Sequence, residues 1–76
     1  MRDDSYFSKS EEQEIDTLLA NGYKIYRYGF GVPSNDKRSH YYQIKQEIIS
    51  KGLQYRVVYG KQYFKAYNYV FLTKEG

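Results

Sequence analysis

The sequence of 76 residues predicts one small α+β domain, built in the order helix, strand, helix, strand, strand. Two apolar stripes predict the helices: Ile15 and Leu18 share one helical face, and Ile44 and Ile48 share another. Three further segments are rich in aromatic and β-branched residues, which favour strands. We therefore expect two helices packed on one face of a small three-stranded mixed sheet.

The first helix is predicted over residues 10–21 and the second over residues 38–51. Gly22 and Gly52 directly follow these segments, and glycine takes the left-handed conformation that ends a helix. The beginning of the first helix has the three-residue spacing of a capping box. Two pairs fit this spacing: Ser8 with Glu11, and Ser10 with Gln13.

The strands are predicted over residues 23–30, 53–59 and 63–72. Gly60-Lys61 lies between the last two, and a glycine followed by one more residue suits a two-residue hairpin turn. The second helix joins the first two strands, so these should run parallel, and the third strand returns antiparallel to the second. The third strand is the longest, which favours a central position and the strand order 1-3-2.

Residue alternation along the strands then predicts a sheet face that neither helix covers. A turn at Gly60-Lys61 places Val57 opposite Phe64 on the helix-covered face. Tyr23, Tyr41 and Tyr55 are expected to help fill the core. The open face is expected to bind through the rings of Tyr26, Tyr28, Tyr63, Tyr67, Tyr69 and Phe71. The basic side chains expected to assist are Lys24, Arg56, Lys61, Lys65, Lys37 and Arg38.

Composition supports an aromatic surface. The chain has 11 Tyr and 4 Phe, and an unpaired buried hydroxyl costs about 1–3 kcal/mol, so many tyrosines should be exposed. Net charge is −4 in residues 1–22 and +7 in residues 23–76, so the body of the chain should attract polyanions. The absence of Cys excludes a disulfide framework, a zinc-finger ligand set and a thiol nucleophile.

A basic, aromatic sheet face has three possible uses. It could bind single-stranded nucleic acid, because bases stack on aromatic rings and Lys or Arg neutralise phosphates. It could bind an acidic protein surface, or it could be buried in a homodimer. The leading hypothesis is a non-enzymatic module for a polyanion, single-stranded nucleic acid above all. The alternative is a protein-binding modulator, an inhibitor or adaptor of a larger host enzyme.

No catalytic residue, metal or cofactor is expected. His40 is the only His, and it lacks the second ligand or the marked partner that a metal site or a general base requires. Tyr41-Tyr42 lacks the surrounding His and Arg cluster that a tyrosine nucleophile requires. The acidic residues of the first helix suit the positive end of its dipole without needing a function, and their outer face could also contact a basic partner: Glu11, Glu12, Glu14 and Asp16.

The loop over residues 35–39 precedes the second helix and is a candidate phosphate site. A helix N-terminus offers unpaired N–H groups, and Lys37 and Arg38 add positive charge. The structural alternative is an ordinary helix cap by Ser34, Asp36 or Ser39.

Neither a membrane span nor a signal peptide is indicated, so a cytoplasmic location is expected. Residues 1–8 are expected to be a flexible N-terminus and residues 73–76 a tail. Small, tyrosine-rich, cysteine-free chains are often encoded by phages and mobile elements, which fits an accessory protein that modulates a host.

Overall fold

The structure is a computed structural model that describes residues 6–76. The predicted α+β class, element order and strand order β1-β3-β2 are confirmed. The sheet is antiparallel at both pairings rather than mixed, because β3 separates the two strands that run in the same direction. The elements are α1 (Lys9–Ala20), β1 (Lys24–Gly31), α2 (His40–Ser50), β2 (Leu53–Tyr63) and β3 (Ala66–Glu75).

Both ends of α1 follow from its sequence. Of the two candidate capping boxes, the Ser8–Glu11 pair forms: the Glu11 N–H donates to Ser8 Oγ at 3.4 Å, and the Ser8 N–H donates to Glu11 Oε1 at 2.7 Å. At the other end, the Tyr23 N–H donates to the Leu18 carbonyl at 3.1 Å, past Gly22 with φ of +94°. These contacts satisfy backbone groups that a helix end leaves unpaired.

The central strand β3 is buried on both faces. Val70 and Leu72 pack with Ile15 of α1, whereas Tyr69 and Phe71 pack with α2. Because neighbouring residues of a strand point to opposite faces, the two helices lie on opposite sides of the sheet. The prediction that both helices cover one face is therefore wrong, and the molecule has three layers.

The hairpin turn lies later in the chain than the sequence predicted. Tyr63 pairs with Ala66, so the two turn residues are Phe64 and Lys65 rather than Gly60 and Lys61. Val57 consequently faces Phe71 instead of Phe64. The β3 partner of Val57 thus shifts by an odd number of residues. Each β3 side chain therefore projects from the face opposite to the one predicted.

Gly60 does not form a turn; instead it allows the backbone of the segment before α1 to approach β2 closely. A Cβ at this position would lie 2.3 Å from the Tyr6 carbonyl oxygen, and the Lys61 N–H donates to that oxygen at 2.8 Å. The ring of Phe7 also lies against Gly60. The β2–β3 pairing has an irregularity here, between Tyr59 and Gln62, so this part of β2 accommodates the segment that leads into α1.

A second irregularity reorients the aromatic residues of β1. Ile25 pairs with Leu72 and Arg27 pairs with Phe71, so Tyr26 is an extra residue in this strand. Tyr26 and Arg27 therefore both face α2. Tyr28 returns to the opposite face, where its ring meets Phe7 at 6.1 Å between centroids.

The ends of the described chain belong to the fold. Phe7 is 3% exposed and sits in the core beside α1, and Ser8 caps that helix. Residues 6–8 thus depart from the expected flexible N-terminus, whereas residues 1–5 lie outside the described residues. The expected tail is also absent, because β3 extends to Glu75. Tyr23, Tyr41 and Tyr55 pack against the core as predicted.

Gly29 makes room for the largest buried side chain. Its partner across the strands is Tyr69, and a Cβ at Gly29 would lie 2.4 Å from Tyr69 Cε1 and 2.8 Å from its hydroxyl oxygen. Because Gly29 has no side chain, the Tyr69 ring can occupy this space beneath α2.

We predict that Gly29→Ala destabilises the fold by about 1–3 kcal/mol, because the new methyl group overlaps the Tyr69 ring. Chemical denaturation measures the change, with Gln46→Ala on the exposed surface of α2 as the control. The double variant Gly29→Ala/Tyr69→Leu should cost less than the sum of its single changes. Strict additivity would contradict the proposed steric contact.

Phe64 gives a second prediction, since its φ of +58° is unfavourable for a bulky residue and its side chain is 85% exposed. Phe64→Asn should stabilise the protein by about 0.5–1 kcal/mol, because Asn tolerates this backbone conformation. The matched control is Tyr63→Asn on the neighbouring exposed strand position, where no such gain is expected. Equal effects at the two positions in thermal denaturation would refute this assignment of strain.

Candidate functional site

The predicted open aromatic face does not form. Tyr69 and Phe71 are fully buried beneath α2, because that helix covers the side of β3 from which they project. Tyr26 and Tyr67 also lie on this side of the sheet, and both are partly buried. Tyr28 lies on the opposite face of the sheet, which α1 covers. The rings that were predicted to share one face are therefore separated.

The predicted basic residues lie in three regions. Lys24 pairs with Thr73 and projects toward the α2 side, and Lys37 and Arg38 lie in the loop before α2. Arg56 pairs with Leu72 and projects toward the α1 side. Two more, Lys61 and Lys65, lie near the hairpin turn.

Charge is distributed unequally between the two sides of the sheet. We use "α2 side" for α2 with its C-cap Lys51, the loop over residues 32–39 and the sheet residues that project toward them. We use "α1 side" for α1 and the sheet residues that project toward it. Lys61 and Lys65 lie near the hairpin turn and are counted with neither side. The other described residues give the α2 side a net charge of +3 and the α1 side a net charge of −1. The α2 side carries Lys24, Arg27, Lys37, Arg38, Lys45 and Lys51 against Asp36, Glu47 and Glu75. The α1 side carries Lys9, Arg56 and Lys74 against Glu11, Glu12, Glu14 and Asp16.

Tyrosine rings lie between the cations of the α2 side. Lys45 Nζ lies 5.7 Å from the ring centroid of Tyr41 and 5.9 Å from that of Tyr42. The Tyr41 hydroxyl bonds the Tyr59 hydroxyl at 2.9 Å, and Tyr59 meets Tyr67 edge to face at 6.0 Å. Burial, followed by the bond to Tyr59, raises the pKa of Tyr41 to about 12. The Tyr41 ring therefore keeps its hydroxyl proton at physiological pH.

Tyr26 lies within a second group of charges. Its hydroxyl donates to Glu47 Oε1, and Arg27 Nη2 lies 3.6 Å from the same oxygen. Lys51 Nζ lies 5.3 Å from the centroid of the Tyr26 ring. The hydrogen bond from Tyr26 lowers the pKa of Glu47 below its ordinary value of 4.5; the charges of Arg27 and Lys51 act in the same direction, and desolvation opposes them.

A cleft of about 380 Å³ lies where the β1–α2 loop meets the amino end of α2. Ser39 occupies the N-cap position, but its side chain makes no capping hydrogen bond and donates instead to the Val32 carbonyl at 3.4 Å. Hydrogen bonds from the backbone and side chain of Arg38 lower the pKa of Asp36, which remains negatively charged. The other lining residues are Gly31, Ser34, His40, Tyr41 and Tyr69.

Tyr69 contributes an unusual group to the lining of this cleft. The residue is 0% exposed, and its hydroxyl oxygen has no hydrogen-bond partner. Burial, and to a lesser degree the neighbouring Tyr41, raises the pKa of Tyr69. One residue of the cleft lining therefore has a buried hydroxyl that keeps its proton and has no acceptor for it.

A separate aromatic surface lies on the α1 side near the hairpin, which we name the hairpin patch: Tyr28, Phe30, Tyr63 and Phe64. Phe30 pairs with Asn68 and Tyr63 pairs with Ala66, so both project toward the α1 side beyond the core beneath that helix. Tyr63 is 67% exposed, and its ring meets that of Phe64 edge to face at 5.1 Å. Phe64 was expected in the core, and its place in the turn exposes it instead.

Four members of this basic aromatic surface were not predicted from the sequence: Arg27, Lys45, Lys51 and Tyr59. Lys45 follows Tyr41 by four residues, a spacing that places both on one helical face. The continuous apolar run from Tyr69 to Leu72 was the signal that both faces of β3 are covered. A strand with one open face would alternate between apolar and polar residues.

The described residues give little sign of other chemistry. Within residues 6–76, no three His, Cys, Asp or Glu side chains gather into a group that could hold a metal ion. His40 is exposed at the cleft, and Tyr41 packs against Tyr69 and Phe71. In the same part of the chain, neither helix has the length and apolarity needed to cross a membrane.

Comparisons of this chain with protein-family models, with curated proteins and with solved structures find no match.

We predict that Tyr26→Phe raises the pKa of Glu47 toward 4.5, because the variant removes the hydrogen bond that contributes most to the lowering. Side-chain carboxyl NMR shifts measure this titration, with Tyr55→Phe as the control. A lowered pKa in the folded state means that the Glu47 contacts stabilise the protein above pH 4.5. That contribution is lost as the pH falls through the folded pKa, so Glu47→Gln should flatten this part of the stability profile. An unchanged Glu47 titration in Tyr26→Phe would contradict the prediction.

Proposed function

We propose that the protein is a non-catalytic module that binds single-stranded nucleic acid through its α2 side. The observation that carries the proposal is the alternation of cations and tyrosine rings there, above all Lys45 against Tyr41 and Tyr42. Base stacking on an aromatic side chain contributes about 1–3 kcal/mol, and neighbouring cations neutralise the phosphates. A cytoplasmic location belongs to the same proposal.

The proposed surface differs from the one that the sequence suggested. It retains Tyr26, Tyr67, Lys24, Lys37 and Arg38, and it replaces the buried rings of β3 with rings near the surface. Tyr59 is exposed at the hairpin end of this side, and the partly exposed Tyr67 lies beside it. Both could present a ring edge or face to a base. The opposite α1 side lacks this excess of positive charge, so the charge distribution favours one binding orientation.

Lys37→Ala/Lys45→Ala should weaken binding of a labelled oligothymidylate by about tenfold at low salt, because two phosphate contacts are lost. The dependence of log affinity on log salt should become shallower by about 1.4, since each contact to a single strand contributes about 0.7. Fluorescence anisotropy at about 50 and 200 mM salt measures both quantities.

The matched control is Lys9→Ala/Lys74→Ala, which removes the same charge from the α1 side. It should change affinity much less. No oligonucleotide binding by the unaltered protein at low salt would refute the proposed function. Equal losses in the two double variants would refute its location on the α2 side.

A second candidate is a protein contact through the hairpin patch. The specific observation in its favour is Phe64, an apolar side chain that is 85% exposed while its backbone has an unfavourable φ of +58°. Strain of this kind clusters at functional positions, and exposed aromatic residues dominate binding hot spots. The partner would be a second copy or a host protein with an apolar pocket.

The two candidates respond to different variants. Phe64→Asp should abolish a contact through the hairpin patch, measured as self-association by sedimentation or as retention of a host protein on immobilised protein. Lys37→Ala/Lys45→Ala should leave that contact unchanged. The second candidate, a protein contact through the hairpin patch, would be refuted if the protein is a monomer and Phe64→Asp changes no retention of a host protein.

A further inference from the structure

We infer that the cleft at the amino end of α2 is a phosphoryl-binding subsite. This inference deepens the proposed function and rests on it for the source of the group: a phosphate carried by the bound strand. The cleft would recognise any phosphoryl oxygen, so a mononucleotide or inorganic phosphate presents the same chemistry.

The first support is the uncapped beginning of α2. The first N–H groups of a helix have no partner within it, and they lie at the positive end of the helix dipole. In α2 the Ser39 side chain bonds the Val32 carbonyl instead of capping these groups. His40 and Tyr41 begin this 11-residue helix and line the cleft. An anion in the cleft would therefore receive hydrogen bonds that the protein itself does not make.

The second support is independent of the helix. Tyr69 lines the cleft from the central strand, and its buried hydroxyl has no acceptor. A buried polar group without a partner is destabilising, and such a group is explained when a ligand completes its hydrogen bond. A phosphoryl oxygen accepts hydrogen bonds and cannot donate one when ionised, so it matches a hydroxyl that keeps its proton.

Arg38 supplies the charge. Its side chain is 92% exposed, and its Nη2 lies 3.4 Å from Asp36 Oδ2, which is long for a charge-assisted hydrogen bond. Asp36 partly offsets the positive charge of the cleft, so binding requires Arg38 to exchange this weak contact for a bidentate one with the ligand. The cleft volume of about 380 Å³ is within the range of small-ligand sites.

Tyr69→Phe tests the inference because it removes only the hydroxyl. Without ligand, the variant should melt higher by about 4 °C, since an unsatisfied buried group is gone. Its affinity for inorganic phosphate should fall at least about fivefold, since one hydrogen bond to a charged acceptor is lost. Amide NMR shifts of His40, Tyr41 and Tyr42 report occupancy, and Tyr55→Phe, whose ring lies outside the cleft lining, is the control.

Arg38→Ala provides a second variant at an exposed position, and it should weaken phosphate binding without raising the melting temperature. A parallel titration with oligothymidylate separates the two proposals. Oligonucleotide binding that is unaffected by Tyr69→Phe and Arg38→Ala, with no phosphate-induced shifts at the start of α2, would overturn the phosphoryl subsite and leave the proposed function standing.

Phosphate or thymidine monophosphate binding at these amides without oligonucleotide binding would support the subsite and reject the nucleic-acid strand as its source. Absence of both would refute both proposals. Phosphate-induced shifts of equal size in the unaltered protein and in Tyr69→Phe would contradict the assigned role of the hydroxyl.

Discussion

The burial of β3 on both faces is the constraint on which the structure depends. Tyr69, Val70, Phe71 and Leu72 are consecutive and fully buried, so each face of the strand requires its own covering layer. In a chain of 76 residues these layers are single helices, one on each side of the sheet. The acidic helix and the basic residues around the other helix are thereby held apart, and a charge asymmetry along the sequence becomes an asymmetry between two surfaces.

The same burial joins the core to the candidate site. The Tyr69 ring occupies space left by Gly29 and packs beneath α2, while its hydroxyl remains unpaired beside the cleft. Stability favours an apolar residue at this position, whereas an anion in the cleft favours the hydroxyl. The hairpin shows a similar conflict, because Phe64 combines an unfavourable backbone conformation with an exposed apolar ring. Such local conflicts are expected at functional positions.

Local patterns predicted the elements well and the faces poorly. The Ser8–Glu11 capping box and the glycine after α1 depend on residues only a few positions apart, so the sequence contains the whole interaction. The assignment of side chains to faces depends on where the hairpin turn lies. The sequence of Gly60-Lys61 suits a turn at least as well as that of Phe64-Lys65, where the turn forms. Its actual role is set by Tyr6 and Phe7, which are more than fifty residues away along the chain. Of the predicted basic residues, the structure keeps Lys24, Lys37 and Arg38 on one side.

By itself, the sequence determined the α+β class, the strand order and an excess of tyrosine too large for the core to hold. These follow from composition, periodicity and capping, which act over a few residues at a time. Only the tertiary structure decided which tyrosines are exposed. Strand alternation has a period of two, so one added residue, such as Tyr26 in β1, exchanges every side chain that follows it between the two faces. Long-range packing decides which face each strand residue occupies. It therefore also decides that Tyr69 lies in the core and Tyr59 at the surface.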